Sequence, residues 1–366
     1  MADDQSPDGD DLGVRSFYFD DAVEDDLRHI PFRPPPTPPS TEGGAPNTQS
    51  EPRSPTSLFQ KSLKETTSVP KLSSNAGHSR AQSNNVDLTR GYTVPSQKHT
   101  AHLPFVLAFE SDVIAEQLTI IEKDALDEVD WKDLIGLNWQ HSPLHLRNWV
   151  DFLQRRDCNG IDIVVSRFNL MVKWVVSECV LTEAASERAR CITKYIHIAA
   201  HAHRLRNYAT MYQITLALLS TDLARLHKTW ALVQPAEKAA LTRLEKLCQP
   251  RGNFHQLRME MEAASADDAC IPFIGLYTHD LMFNAQKPAR VNPPATGSAV
   301  RGAPTEPLVN FERFQTAAGI VKGLLTLIEA SAKYVLRPHP EVLSRCLWLA
   351  ALEDGEILSR SRGLEA

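Results

Sequence analysis

The chain has 366 residues and a formal net charge of −6, which gives no general electrostatic reason to expect nucleic acid or an anionic membrane as its main partner. Its six cysteines are scattered without a CxxC pair, so neither a zinc site nor a disulfide framework is indicated. No stretch approaches the roughly 20 apolar residues of a membrane span, and the acidic start does not resemble a signal peptide. We therefore expect a cytoplasmic protein with reduced thiols.

The composition changes near residue 102. Residues 1–102 are rich in Pro, Ser, Thr, Asn and Gly and have no sustained apolar period, which predicts a disordered arm. From residue 103 to residue 366 apolar residues recur at helical spacing, which predicts a folded domain. A polar, Pro-rich stretch at 288–307 interrupts this pattern and is expected to form a loop.

The folded part reads as all-α, because its apolar periods are helical and every strand-like run is short. Predicted helices cover 110–126, 160–180, 182–205, 208–219, 223–233, 238–247, 254–264, 280–286, 311–336 and 341–352. The large apolar groups of 131–139 are expected to seal one edge of the core. The Pro and Gly of 271–277 predict a buried turn there.

No catalytic motif accompanies these helices. His197, His201 and His203 lie near the end of one predicted helix, and His197 and His201 could share a face, but no HExxH arrangement and no third ligand accompanies that pair, which argues against a metal site. Neither a GxSxG elbow, a Walker loop nor a GxGxxG is present. Adjacent carboxylates such as Asp267 and Asp268 lie in polar surroundings typical of solvated loops. We expect no cofactor and no metal.

The most specific stretch is 270–283, Cys-Ile-Pro-Phe-Ile-Gly-Leu-Tyr-Thr-His-Asp-Leu-Met-Phe. It resembles the signature of the catalytic, CDC25-homology domain of Ras guanine-nucleotide exchange factors, in which Pro-Cys-Ile-Pro-Phe-x-Gly-x-Tyr-Leu-x-Asp-Leu-Thr-Phe is typical. Four further stretches resemble family motifs in order and spacing: 115–122, 167–175, 225–230 and 308–311. The version of the hairpin helix at 283–288, together with the long preceding arm, resembles the fungal low-temperature-essential exchange factors of the mitotic-exit pathway.

This resemblance implies a multi-helix bowl with a protruding helical hairpin that opens a Ras-superfamily small GTPase and breaks no bond. The hairpin is expected at 254–287. Its implied wedge residues are Leu281, Met282, Phe283 and Gln286, and its implied support is Phe273. In the family, the side chain at the Met282 position projects toward the Mg²⁺ site and an acidic residue at the Gln286 position perturbs the phosphate side.

The resemblance also implies a GTPase-binding surface on the body of the domain. Its members are expected on the helix used against switch 2 and on the neighbouring wall: Ser166, Arg167, Asn169, Tyr212, Leu219 and Arg225. We expect no nucleic-acid partner and no transmembrane segment, with any recruitment to membranes, the cell cortex or bud-like sites occurring through partner proteins.

The sequence departs from the family pattern at the end of the wedge. Gln286 stands where an acidic residue is usual, and Lys287 replaces part of a Gly-Asn-Pro turn. One alternative interpretation is therefore a GTPase-binding scaffold that keeps the fold without catalysing exchange. A third, an unrelated helical enzyme, requires a pocket with perturbed acids or bases, which the sequence does not indicate.

Overall fold

The computed structural model describes residues 102–137, 139, 149, 160–263, 268–292 and 306–365. Within these residues the chain forms thirteen α-helices, one short 3₁₀ helix at Phe105–Leu107 and one two-stranded ladder. The helices are α1 Ser111–Leu126, α2 Trp131–Gly136, α3 Gly160–Leu181, α4 Ala185–Arg204, α5 Tyr208–Leu219, α6 Thr221–Ala224, α7 His227–Leu232, α8 Pro235–Cys248, α9 Arg251–Glu262, α10 Gly275–Ala285, α11 Phe311–Ser331, α12 Pro340–Leu347 and α13 Asp354–Leu364. The strands are β1 Arg290–Val291 and β2 Leu308–Val309, and they pair antiparallel.

The centre of the fold consists of α1, α3, α4 and α5, which pack against one another. Helices α3 and α5 are buried on nearly every side, so their apolar residues do not form a single stripe. Trp174 of α3 lies between the rings of Phe105 and Tyr195, at centroid distances of 5.6 Å and 5.7 Å. These contacts join α3, α4 and the start of the domain.

The start of α3 passes so close to the end of α1 that only glycine fits there. A Cβ added to Gly160 would lie 1.7 Å from the carbonyl oxygen of Glu128. The missing side chain therefore sets how closely the two helices approach.

A buried asparagine connects α1 with the start of α5. Asn207 caps α5 by accepting a hydrogen bond from the Thr210 amide at 2.9 Å, and it donates to the hydroxyl of Thr119 at 3.0 Å. Since these groups are buried, each needs its partner. The cap thus fixes the short turn between α4 and α5, on which the functional site depends.

The prediction of an all-α fold is confirmed, and α5 has the predicted bounds 208–219. Several of the other predicted helix bounds were wrong. The predicted helix 223–233 is divided into α6 and α7, because Leu226 leaves the helical region (ψ 65°) and its side chain is buried in the core. Helices α11 and α12 end at Ser331 and Leu347, earlier than the predicted ends at residues 336 and 352. Helix α13 was not predicted at all.

The predicted hairpin was also placed wrongly. Helix α10 packs against α11, whereas α9 packs against α8. The hairpin therefore consists of α10 and α11, joined through the β1–β2 ladder, and not of residues 254–287. Its first helix begins at Gly275, earlier than the predicted start at residue 280, because only residues 271–274 form the irregular turn.

The segment 131–139 seals the core only in part. Leu134 and Trp139 are buried, as predicted, but Trp131 and Ile135 are about half exposed. The predicted arm at 1–102 lies, apart from its last residue, outside the described residues, and so does most of the predicted loop at 288–307.

Candidate functional site: the helical hairpin and its base

The hairpin begins from a buried strand-like segment. The amide of Ile271 donates to the carbonyl of Arg206 at 3.1 Å, and its carbonyl accepts from the amide of Tyr208 at 3.0 Å. Arg206 has the left-handed φ of 58°, so the turn between α4 and α5 presents its carbonyl toward Ile271. The chain entering the hairpin is thereby tied to the capped turn at Asn207.

The thiol of Cys270, which precedes this segment, is completely buried. Burial raises the pKa of Cys270 to about 12. The group is therefore a neutral thiol near pH 7 and acts as a small apolar side chain. It contributes packing to the base of the hairpin.

Phe273 anchors the base of the hairpin in the core and is 0% exposed. Its ring stacks on Tyr212 of α5 at a centroid distance of 4.4 Å and an interplanar angle of 16°. It also lies 5.3 Å from the ring of Phe168 of α3. Because the two neighbours belong to different central helices, the orientation of α10 is set directly by the core. The support role that the resemblance implies for Phe273 stays a prediction.

Helix α9 braces α10 through one carboxylate. Asp280 pairs with the guanidinium of Arg258 at 2.9 Å and accepts from the side-chain amide of Asn253 at 3.4 Å. Gly252, Asn253 and Phe254 have φ values of 63°, 55° and 58°, so three consecutive residues are left-handed. Such a turn is costly for residues with a Cβ and persists only where surrounding contacts hold it. Here it directs the start of α9 toward Asp280.

Helix α10 has two distinct faces. Thr278, Leu281 and Asn284 are buried, and the Asn284 side chain donates to the carbonyl of Arg313 in α11 at 2.9 Å. The opposite face consists of side chains at spacing i, i+3, i+4 and i+7, which places them together on a helix. These are His279, Met282, Phe283 and Gln286, of which all but the partly buried Met282 are exposed.

The predicted wedge residues therefore divide between these faces. Met282, Phe283 and Gln286 lie on the outward face, and Phe283 is 45% exposed. Leu281, in contrast, is 3% exposed and belongs to the core side. Its position makes it an anchor of α10.

Asn310 closes the connection between the two hairpin helices. Its side-chain oxygen accepts from the amide of Arg313 and so caps α11, while its side-chain amide donates to the carbonyl of Pro288 at 2.9 Å. Its backbone amide donates to the carbonyl of Ala289 at 2.9 Å. Nearby, Lys287 pairs with Glu312 at 3.2 Å. One asparagine thus fixes both the helix start and the return of the chain.

Among the described residues, the first half of α11 is less buried than the second half. The buried residues of the whole helix are Val321, Leu324 and Ser331, and all three lie in its second half. At the start of the helix Phe311 is 73% exposed and Phe314 is 50% exposed. The hairpin is consequently anchored at one end and exposed at the other.

Four of the residues predicted to bind a GTPase from the body of the domain are buried: Ser166, Arg167, Asn169 and Tyr212. Arg167 donates to Glu122 of α1 at 2.7 Å, and its guanidinium lies 5.4 Å from the centroid of the Trp149 ring. These side chains present no surface in this structure, so they shape the body from within. Leu219 and Arg225 are partly exposed, and Arg225 pairs with Asp222 at 3.3 Å.

A carboxylate clamp at the end of the chain was missed from the sequence. Glu365 accepts from the backbone amides of Lys228 and Thr229 at 2.7 Å and 2.8 Å, and from the Thr229 hydroxyl at 2.6 Å. The buried Arg188 completes the cluster, with its guanidinium 3.4 Å from the same carboxylate. Although burial raises the pKa of Glu365, these hydrogen bonds lower it below its ordinary value. The clamp holds the end of α13 against the start of α7.

Two of the three histidines of α4 contact carboxylates of neighbouring helices. His197 lies 2.8 Å from Glu237, and His203 lies 2.7 Å from Glu260. Within the described part of the chain, no group of three or more potential ligands is placed to hold a metal ion. In the same residues, no helix is both long enough and apolar enough to span a membrane.

Residues 113–315 match the sequence model of the family described as RasGEF domain. The chain belongs to the RasGEF domain family. The match includes the centre of the fold, the base of the hairpin and all of α10. It ends within the exposed first half of α11.

Individual relatives agree with this membership. The chain is 35% identical over 263 residues to the "Guanine nucleotide exchange factor LTE1" of Candida glabrata, which covers 72% of this chain and 19% of the relative. It is 32% identical over 258 residues to the protein of the same name in Saccharomyces cerevisiae, covering 70% and 17%. It is 26% identical over 251 residues to the mouse "Ras-specific guanine nucleotide-releasing factor 1", covering 68% and 18%. The matched region is thus less than a fifth of each relative's length. None of these matches tests where this chain is located in the cell, so the cytoplasmic location stays a prediction.

Proposed function

We propose that this RasGEF domain binds a Ras-superfamily GTPase and accelerates release of its bound GDP. The observation that carries the proposal is the division of α10 into an anchored face and an outward face. Phe273, Leu281 and Asn284 fix the helix to the core and to α11. Met282, Phe283 and Gln286 are consequently presented to a partner by a helix that is already oriented.

The chemistry requires no covalent step. A protein that binds the nucleotide-free form of a GTPase more tightly than the nucleotide-bound form weakens nucleotide binding by the same coupling free energy. Met282 is suited to act as an apolar plug, because a thioether side chain adapts to irregular gaps. Phe283 adds exposed aromatic area beside it.

The body residues have a different role in this proposal. Arg167 and Glu122 form a buried ion pair, and Tyr212 supports the ring of Phe273. They act as positioning residues that keep the hairpin base and the central helices in register. Leu219 and Arg225, which are partly exposed, are the body residues proposed to touch the GTPase directly.

The test is a GDP-release assay with the full chain and a panel of Ras-superfamily GTPases loaded with a fluorescent GDP analogue. The proposal expects accelerated release from at least one panel member, and acceleration that saturates with the concentration of the chain. Release at the intrinsic rate from every member, with no detectable complex, would overturn it.

One observation favours a second candidate, a GTPase-binding scaffold without exchange activity. Gln286 is an exposed, uncharged residue at the end of the outward face, where the resemblance implies an acidic group. The scaffold predicts binding to a GTPase without faster GDP release. It also predicts that Gln286→Glu introduces acceleration, whereas Gln315→Glu, an exposed change of the same kind on α11, does not.

A further inference from the structure

The exposed end of the hairpin carries an unusual amount of apolar surface. We call its members the tip patch: Phe283, Val291, Leu308, Val309, Phe311 and Phe314. Every one of these side chains is at least 39% exposed. The pairing of Val291 with Leu308 and the Lys287–Glu312 ion pair bring the members together at the end where α10, the ladder and α11 meet. A cluster of exposed apolar residues at one end of a hairpin, as opposed to apolar residues scattered singly, marks a candidate interaction site.

Cations accompany the patch. Arg290 lies in β1, Arg313 lies over the ring of Phe314 at 5.8 Å, and Lys322 is exposed two turns further along α11. Among the residues that the structure describes, none of these three cations has an ion-pair partner. An occupant that combines apolar or aromatic groups with carboxylates is complementary both to the apolar tip patch and to the cations beside it.

The chain itself contains such a segment at 16–27, outside the described residues: Ser-Phe-Tyr-Phe-Asp-Asp-Ala-Val-Glu-Asp-Asp-Leu. It carries the aromatic run Phe17, Tyr18 and Phe19, and its charged residues are all acidic. Phe19, Val23 and Leu27 recur every four residues, which is the spacing of one face of a helix. We propose that residues 16–27 bind the tip patch of the same molecule.

The connection is long enough for this contact. Residues 28–102 separate the segment from the folded domain, and a random coil of that length has an r.m.s. end-to-end distance of about 45–50 Å. A domain of this size has a radius of gyration of roughly 18 Å, so the segment reaches the tip from any attachment point. Tethering also raises the local concentration of the segment, which permits weak contacts to be occupied.

Binding at the tip has a regulatory consequence that rests on the proposed function. Phe283 belongs both to the tip patch and to the outward face of α10. A segment bound there competes with the GTPase for the hairpin and so lowers the rate of nucleotide exchange. Release of the segment then increases nucleotide exchange.

The contact is tested without a GTPase, by hydrogen–deuterium exchange of the full chain. The proposal expects amides of 308–322 to exchange about tenfold faster in the Phe17→Ser/Phe19→Ser double variant than in the wild type. Phe59→Ser, a matched change elsewhere in the arm, leaves them unchanged. Zero-length coupling of carboxylates to amines should join 16–27 to Lys287 or Lys322, and Arg313→Glu/Lys322→Glu should restore fast exchange.

Three results would overturn the contact. The first is equal hydrogen exchange in the wild type and the Phe17→Ser/Phe19→Ser variant. The second is protection that increases with protein concentration, which would identify a second copy as the occupant. The third is protection that requires phosphatidylserine vesicles. The regulatory consequence is measured separately, as GDP release stimulated by the Phe17→Ser/Phe19→Ser variant relative to wild type. Protection without any change in GDP release would leave the contact standing and contradict the competition at Phe283.

Discussion

Tyr212 and Phe273 stack nearly parallel, with ring centroids 4.4 Å apart, and this contact joins the centre of the fold to the first helix of the hairpin. The stack has a specific consequence, because Phe273 is completely buried while the helix that follows it presents exposed side chains. Stability and the proposed exchange activity are therefore both expected to depend on Phe273.

Phe273→Ala is expected to lower the free energy of unfolding by about 3–5 kcal/mol, since it removes a buried aromatic ring and leaves a cavity. Urea denaturation followed by circular dichroism measures this change. Phe273→Leu, which keeps most of the volume, should cost less than half as much. Equal stability of the alanine variant and the wild type would show that Phe273 is not an anchor.

The Arg167–Glu122 pair is expected to be strongly coupled, because both side chains are almost fully buried. Glu122→Leu leaves an uncompensated guanidinium in the core and should cost about 3–5 kcal/mol of unfolding free energy. Arg167→Met/Glu122→Leu should recover much of that loss, because neither charge remains. The exposed pair Lys123–Asp127 serves as the control, and Lys123→Ala should cost less than about 1 kcal/mol. Additive effects in the buried cycle would refute the coupling.

The Glu365 clamp predicts a pH-dependent contribution to stability. The folded-state pKa of Glu365 is lowered, so its contribution is present above the ordinary value near 4.5 and is lost as the pH falls through the folded-state pKa. At neutral pH, Glu365→Gln should lower the unfolding free energy by about 1–2 kcal/mol, because an amide nitrogen cannot accept from the backbone. The difference from wild type should shrink in increasingly acidic buffers. A difference that is independent of pH would contradict the clamp, and Glu329→Gln provides an exposed control.

Asn310 is expected to matter through two separate hydrogen-bonding roles. Asn310→Ala removes the cap of α11 and the donor to Pro288, and it should cost about 1–2 kcal/mol of unfolding free energy. Asn310→Asp keeps the cap acceptor but loses the donor, so its cost should be smaller. Hydrogen exchange at the start of α11 distinguishes the two variants, and equal exchange in both would argue against a separate role for the Pro288 contact.

Local signals explain which parts of the fold were predictable. Helix α5 was bounded correctly from its apolar run, and the structure shows why the helix begins there, since Asn207 caps its start. Helix α13 is short and polar, and its capping box begins with glutamate, which is an uncommon capping residue. Periodicity could not reveal it.

The site was predictable in its motif but not in the orientation of its side chains. Phe273 and Met282 were identified from a specific stretch, yet the burial of Leu281 depends on how α10 packs against elements outside that stretch. Arg167 was expected at a surface because the family resemblance implied it, and α3, which is apolar on every side, has no stripe that indicates which face points outward. The Glu365 clamp joins residues 136 positions apart, so no local pattern contains it.

The central claim, that the outward face of α10 opens a GTPase, is tested most directly by GDP release with Met282→Asp and Met259→Asp. Met259, which is 56% exposed, lies on α9 outside the hairpin. It serves as the control because the same methionine-to-aspartate change is made at both positions. We predict that Met282→Asp slows stimulated release at least about tenfold, a loss of about 1.4 kcal/mol, while circular dichroism shows that the domain stays folded. Met259→Asp should retain the wild-type rate. Wild-type stimulation by Met282→Asp would contradict the account.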